Sequence, residues 1–440
     1  MGNSPTVSAA SASVSKLTAL SNAIDDKTRL LARHLEARGS EIPSLGRDGP
    51  ADFPLAEMDD EARQARLDIL ALTQELHELV LGPRQGLRDL AWDVVSHVPL
   101  HAIAEFDIAA AVPPNGSISY ESLSAEIHKL KGVHVPPRDL RRLLRLAMTS
   151  SRLFLEQDNG RVSHNRKSLL LLQDKSLASW VGMFTVDLFG PVANTVPAMC
   201  KWPASEKDNE TGVNVSCSHS MSFFEYLQAD EARARRYKEA MGAMSSGEGF
   251  GFSHTVESYP WQSLGHGTVV DMGGNEGSVS MAIAEAFPTL SFIVQDLPGV
   301  RTPAVRAKVP AHLSGRVELT THDFFEEQPV VAEAYFFRHV FHAFSDEYAV
   351  RILRALVPAL RTGAHIIVND AMLPAPGSVS CREEKSIRIL DVLVKTACNS
   401  REREVDDWKR LFEQADARFK WQQAWKSSGR LWLIQVLWEE

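Results

Sequence analysis

Apolar residues recur at helical spacing over residues 16–38 and again over 59–81, separated by a stretch from Gly39 to Pro54 rich in Gly, Pro and Ser. In the second segment Leu67, Leu70, Leu72, Leu76 and Leu79 form a broad apolar face, which suits either the core of the chain or exchange between subunits. From about Gly86 to Leu172 the pattern predicts helix, helix, turn, helix and two short strands. AWDVVSHVPLHAIAEFDIAAAV reads as one long apolar helical region, SYESLSAEIHKL starts at a serine cap, and Pro136-Pro137 introduces RDLRRLLRLAMTS. SRLFLEQDNGRVSH follows as a hairpin with its tip at Asn159-Gly160, which completes a winged helix-turn-helix pattern. Residues 176–263 read as helices around a polar loop, Ser205 to Ser218.

From Gly265 onward the period changes. TVVDM, SFIVQD, VELTTHD, AYFFRHVF and AHIIVND alternate with helical segments, and FKWQQAW with RLWLIQVLWEE reads as a paired antiparallel extension. Such alternation predicts an α/β domain, a mostly parallel sheet with helices on both faces. The expected division is a tail and N-terminal helix over 1–58, a helical winged-helix domain over 59–175, a helical linker and pocket segment over 176–263, and the α/β domain over 264–440.

Length and charge narrow the class. A chain of 440 residues exceeds one small core and calls for two or three domains. The net charge of -9 disfavours a dedicated nucleic-acid binder, so Arg138, Arg141, Arg142 and Arg145 read as a solvated or salt-bridged face rather than a DNA-contacting one. Cys200, Cys217, Cys381 and Cys398 show no CxxC spacing, which fits a reduced cytoplasmic protein without a structural metal. No apolar run approaches the roughly 18 residues that a membrane span needs. The N-terminus lacks a secretory apolar segment. Met1-Gly2 with Thr6 matches a myristoylation pattern, but Pro5 falls inside it, and the Ser/Ala-rich residues up to about Ser15 read as a disordered tail.

The stretch TVVDMGGNEG, residues 268–277, carries the chemistry. An apolar strand ending in Asp271 turns through Gly273 and Gly274, and Gly277 opens a helix, Ser278 to Phe287. A glycine turn between a strand and a helix N-terminus lets a ligand approach the backbone in the crevice of an open α/β sheet. The next strand ends in Asp296, spaced to accept hydrogen bonds from ribose hydroxyls. A nicotinamide enzyme shares that spacing. Here the loop reads Asp-x-Gly-Gly-x-x-Gly, and Glu276 would set a like charge against a pyrophosphate. The cationic, phosphate-free methyl donor S-adenosylmethionine fits better.

SFFEYL with RYKEAM, VVDMGG, FIVQDLP, HVFHAFSDE and NSRERE stand at matching intervals, and through them the chain, over roughly Leu87 to Glu440, resembles the caffeic-acid-type O-methyltransferases, fungal secondary-metabolite members especially. The resemblance implies a Rossmann-like methyltransferase domain behind an all-α, winged-helix dimerisation domain, and the N-terminal half's excess of apolar helices over what one small winged domain can bury predicts a homodimer. The resemblance also implies S-adenosylmethionine as donor and a small aromatic or polyketide-like natural product as acceptor, with no metal, nucleic acid or membrane. By the same resemblance Gly273 lies against the donor, Asp296 takes the ribose, Asp323 stands beside adenine with Phe324 on the ring, and Arg338 is a basic donor-binding position. His342 is the general base that removes the acceptor's phenolic proton, flanked by Asp370 and Glu402. Tyr237 and Met241 match pocket positions, and Trp180, Met183 and Phe184 are further pocket candidates. His339 is expected on the opposite strand face, as a structural residue.

Two positions depart from the family pattern. Ala343 follows His342 where an aspartate is common, and Asn275-Glu276 stands where many relatives have small residues. A methyltransferase-like pericyclase, which would hold the donor as a bound cation without consuming it, is the alternative: Ala343 keeps it open, and retention of His342 counts against it. A winged-helix regulator is disfavoured by the acidic charge.

Overall fold

A computed structural model describes residues 6–300 and 302–440; the first five positions of the myristoylation-like pattern lie outside the described residues. The chain forms two units, Met1–Asp187 with Ser380–Arg382, and Leu188–Val379 with Glu383–Glu440.

The first unit opens with helices Thr6–Arg38 and Asp60–Leu81, which pack through Leu31, Leu35, Met58 and Ala62. The second begins where Asp59 accepts the Ala62 amide at 2.9 Å. The first starts at Thr6, not near residue 16. Its Ser/Ala run has no apolar face to read, yet alanine propagates a helix once one is nucleated. The apolar region expected as one helix is broken into Pro83–Asp93, a 3-10 turn Val94–His97, Val98–Glu105 and Ile108–Ala111. Pro99 sits in a first turn and Asp107 takes a left-handed φ of 55°, and both interrupt the backbone ladder.

The elements of this region follow in the order helix, helix and hairpin. Helix Tyr120–Lys131 is capped by Ser119, helix Pro137–Leu146 follows, and strands Ser117–Ile118, Val162–Ser163 and Leu155–Glu156 form a small antiparallel sheet. Leu123, Ile127, Leu140, Leu144 and Phe154 make its core. The arginine face is largely paired: Arg145 meets Glu156 at 2.7 Å, Arg142 meets Asp139 at 3.5 Å, and Arg141 lies over Tyr120.

The second unit is built on a seven-stranded sheet: β1 Thr268–Met272, β2 Ser291–Asp296, β3 Val317–Thr321, β4 Ala334–Arg338, β5 His365–Asp370, β6 Phe419–Lys426 and β7 Trp432–Trp438. The spatial order is β3-β2-β1-β4-β5-β7-β6. β1 to β5 run parallel, and β7 adds antiparallel to β5 with β6 at the edge. The central strands are nearly continuous apolar runs because both faces are covered. One face packs Tyr335, Phe337, Val368, Leu353 and Trp408; the other packs Phe336, Ile367, Phe292, Ile283 and Trp261.

Two expectations fail here. The polar loop 205–218 contains helix Gly212–Cys217, started by a reciprocal capping box between Thr211 and Asn214 that is legible as Thr-x-x-Asn in retrospect. AYFFRHVF is not strand throughout: β4 stops at Arg338, His339 turns left-handed at φ 54°, and Phe341–Ala343 is a 3-10 turn.

Candidate active site

The carboxyl ends of β1, β2, β3, β4 and β5 converge on one edge of the sheet, where an open α/β fold holds its ligands. After β1 the chain turns at Gly273, φ 73°, and both the Gly273 and Gly274 amides donate to Gln295 O on β2. A Cβ on Gly273 would stand 3.3 Å from both Phe324 and Val340. On Gly274 it would lie 2.4 Å from the Asp271 carboxylate and 2.6 Å from Val294. The first glycine keeps a cradle open beside Phe324, and the second lets the loop close against β1 and β2.

Asp296, half-buried at the end of β2, accepts the Asn275 amide through Oδ2 and the Leu297 amide through Oδ1, each at 2.8 Å. Each oxygen keeps a lone pair for a further donor. Asp323 lies beyond β3, exposed, and accepts the Phe325 amide at 3.0 Å. The Phe324 ring meets Phe344 edge to face at 5.5 Å. Gly273, Asp296, Asp323 and Phe324 thus gather at one edge, with carboxylates spaced around a glycine cradle. That arrangement fits a nucleoside.

The like charge that Glu276 would set against a phosphate is offset by two lysines. Glu276 is met by Lys238 at 2.7 Å and by Lys308, so its charge is neutralised. Two lysines distant in sequence gave no warning of this. Arg338 ends β4 with its guanidinium on Asn369 Oδ1 at 3.2 Å and Phe250 O at 2.9 Å. Burial lowers it to about 10, against the opposing pull of Asp271 and Asp370.

His342 sits in the turn after β4. Its Nδ1 is 3.2 Å from Glu402 Oε1, and its backbone amide donates to Asp370 Oδ2 at 3.3 Å. Burial alone would lower the imidazole's pKa, but the charge of Asp370 and the hydrogen bond and charge of Glu402 outweigh it and hold the ring up to about 9. Asp370 is itself raised above the ordinary carboxylate range, first by burial, with Glu402 adding to it and His342 opposing. Of the two acids, Glu402 holds the ring, while Asp370 holds the backbone and acts on the ring through its field.

His339 corrects an expectation. It does not stay on the far strand face, because its left-handed turn brings the ring within 5.4 Å of the His342 ring. Burial, with the charges of Arg338 and His342, lowers it well below 6.5 and keeps it neutral.

Arg403 was not anticipated as functional. Fully buried, it donates to Phe341 O at 2.9 Å, Phe344 O at 2.8 Å and Asp346 Oδ1 at 2.9 Å, and so ties down both sides of the His342 turn. Ser345 caps helix Asp346–Leu356 without a side-chain bond, and Asp346 in the first turn is held by Arg403 and Arg401. An arginine within NSRERE reads as solvated, and nothing local marks it as buried.

Tyr237 and Met241 lie on helix Glu231–Ser246. Burial pushes the Tyr237 hydroxyl up, and its ring meets Phe223 at 5.9 Å. Phe223 touches Phe224, Phe224 stacks on Phe344, and Phe344 meets Phe324, so an aromatic path runs from Tyr237 to the glycine cradle. In the first unit Trp180 packs edge to face on Phe184 at 4.9 Å and Met183 is buried.

The O-methyltransferase domain family matches residues 204–418. The chain is 38% identical to the grayanic acid biosynthesis cluster O-methyltransferase of Cladonia grayi, over 90% of this chain and 82% of that one. It is 34% identical to the chlorophenol O-methyltransferase of Trichoderma longibrachiatum, over 100% and 93%. Among solved structures OxaC superposes with a TM-score of 0.72 at 21% identity, covering 96% and 100%. A pericyclic reaction enzyme superposes at 0.71 with 19% identity, covering 94% and 98%. At such identity the structures show a shared fold, and a shared fold does not decide a reaction. The sequence relatives do: the chain belongs to the S-adenosylmethionine-dependent O-methyltransferase family, in the branch of fungal secondary-metabolite enzymes, and is an O-methyltransferase.

Proposed function

We propose that the acceptor is a phenolic hydroxyl of an aromatic or polyketide-like natural product and that His342 is the base that deprotonates it. The observation that carries this reading is the His342–Glu402–Asp370 cluster at the sheet edge beside the glycine cradle. Gly273, Asp296, Asp323, Phe324 and Arg338 would hold the donor. S-adenosylmethionine, when bound, supplies a methyl group on a cationic sulfonium.

An unperturbed imidazole lies roughly 3.5 pKa units below a phenol near 10, which makes proton transfer steeply uphill. At about 9, His342 comes within about one unit of the phenol, so the transfer is nearly balanced. The corresponding cost is occupancy: at pH 7 only about one site in a hundred has a neutral ring before any ligand arrives. A nearby ligand cation shifts the ring back toward neutrality, because like charges disfavour the protonated form. Glu402 accepts from the Nδ1 proton and leaves Nε2 as the basic nitrogen. The relative named for chlorophenol supports a phenolic acceptor.

Homodimerisation belongs to the same proposal. Leu87, Leu90, Trp92, Val94 and Val95 of the helical unit are all exposed, Trp92 at 80%, and such a concentration of exposed large apolar side chains within nine positions supports an interaction surface. Four free cysteines among the described residues support a reducing compartment, the cytoplasm. No helix among the described residues is long and apolar enough to cross a membrane.

One observation favours the pericyclic reading: an imidazolium bonded to Glu402 in the field of Asp370 is an acid and an electrostatic anchor before it is a base. Incubation with methyl-labelled S-adenosylmethionine and a panel of chlorinated and acylated phenols separates the two. Equal amounts of methylated product and S-adenosylhomocysteine support methyl transfer by this site. Substrate consumed with the donor fully recovered sinks it.

A further inference from the structure

We propose that His339, His342 and Asp370 form a binding site for a divalent first-row transition cation, zinc above all, and that its occupancy blocks the enzyme by engaging His342. Binding does not depend on the role given to His342; the block on activity rests on that reading.

The starting observation is His339. A buried histidine ordinarily satisfies both ring nitrogens. His164 of this chain does so, with Nδ1 on Ser168 Oγ at 2.9 Å and Nε2 on the carbonyls of Ala109 and Val112 at 3.1 Å. His339 does not. Its Nδ1 is buried with no hydrogen-bond partner, although Asp370 Oδ1 stands 3.8 Å away, beyond hydrogen-bonding range. A left-handed backbone, unusual for a residue with a side chain, turns the ring there.

One ligand atom from each of His339, His342 and Asp370 lies within 4.8 Å of the other two. Two imidazoles and a carboxylate match the donor set of open zinc sites, with bonds of about 2.0–2.2 Å and a fourth place left for water or substrate oxygen. Tetrahedral coordination at those lengths sets ligand atoms roughly 3.4 Å apart, so the cluster contracts by about 1 Å or so on binding. The two histidines are three residues apart in one turn, and Asp370 comes from the neighbouring strand β5. The ion gives His339 Nδ1 the partner it lacks.

The test is calorimetric titration of chelator-treated, full-length protein with zinc chloride, without acceptor or donor. Cobalt(II), followed by its visible absorption, reports the coordination number. The expected result is one site of micromolar affinity, weakened at least tenfold in His339→Asn and in His342→Asn, and retained when the exposed Cys200 and Cys381 are replaced by serine. No binding below millimolar zinc overturns the proposal. So does wild-type affinity in a folded His339→Asn or His342→Asn variant, or loss of the site with the two cysteines. Zinc that binds at this site should also stop methyl transfer reversibly, with activity restored by chelator. Undiminished transfer in the zinc-loaded enzyme would overturn the block and, with it, the base role of His342, while leaving the site.

Discussion

At the residue scale the proposed chemistry turns on one proton. His342 sits at about 9 because two buried carboxylates outweigh its own desolvation. A base works only when neutral, so kcat/KM, which reports the free enzyme, should climb about tenfold per pH unit toward pH 9 and then level off. A profile that levels near 6.5 would show that the acids do not act on the ring. His342→Ala should cost roughly 10²–10⁴-fold in turnover with donor binding intact, and rising pH should restore part of it as the phenol ionises unaided. The same pKa is a stability statement. The folded value lies above the unfolded 6.5, so the contribution is complete below about 6.5 and is lost as pH rises through about 9.

Elements hold that residue in place. The turn after β4 has no regular hydrogen-bond ladder of its own beyond a 3-10 step, and Arg403 supplies the missing bonds from the segment beside Glu402. Arg403→Leu removes three hydrogen bonds, to Phe341 O, Phe344 O and Asp346 Oδ1, and leaves Phe341 O with the Phe344 amide and Asp346 with Arg401, at about 0.5–3 kcal/mol for each bond lost. It should depress melting temperature and turnover together, and Arg403→Lys should recover melting temperature more fully than turnover, since a single ammonium cannot span three acceptors. An unchanged melting curve for Arg403→Leu would refute the clamp. The glycine loop is a second case. Gly274→Ala pushes a methyl into the Asp271 carboxylate and Val294, so calorimetry should find donor affinity at least tenfold weaker. Wild-type affinity there would mean that the loop adapts.

At the scale of the whole molecule the question is what covers the apolar face of the helical unit. Leu90, at 71% exposure, and Trp92 sit on helix Pro83–Asp93, which has no buried residue of its own. An obligate dimer buries on the order of 2,000 Å² or more. Light scattering should therefore report a dimer at micromolar concentration, and the pair Leu90→Glu with Trp92→Glu should shift it toward monomer. A wild-type monomer would end the dimer reading.

Much of this was legible in the chain, because hydrophobic period and glycine placement are local. The alternation from Gly265 onward determined the α/β sheet and its antiparallel end, and DMGG with Asp296 marked, by local pattern alone, the strand ends that meet at one edge of that sheet. His342, Asp370 and Glu402 were recognisable from their motifs. Their division of labour was not, because a bond to a ring and a bond to a backbone look alike in sequence. Tertiary structure alone decided three things. Glu276 is neutralised by lysines from two other segments, Arg403 is buried, and a single left-handed residue swings His339 from the strand face to the His342 ring. Each depends on groups far apart in the chain or on one backbone torsion, and neither leaves a periodic trace.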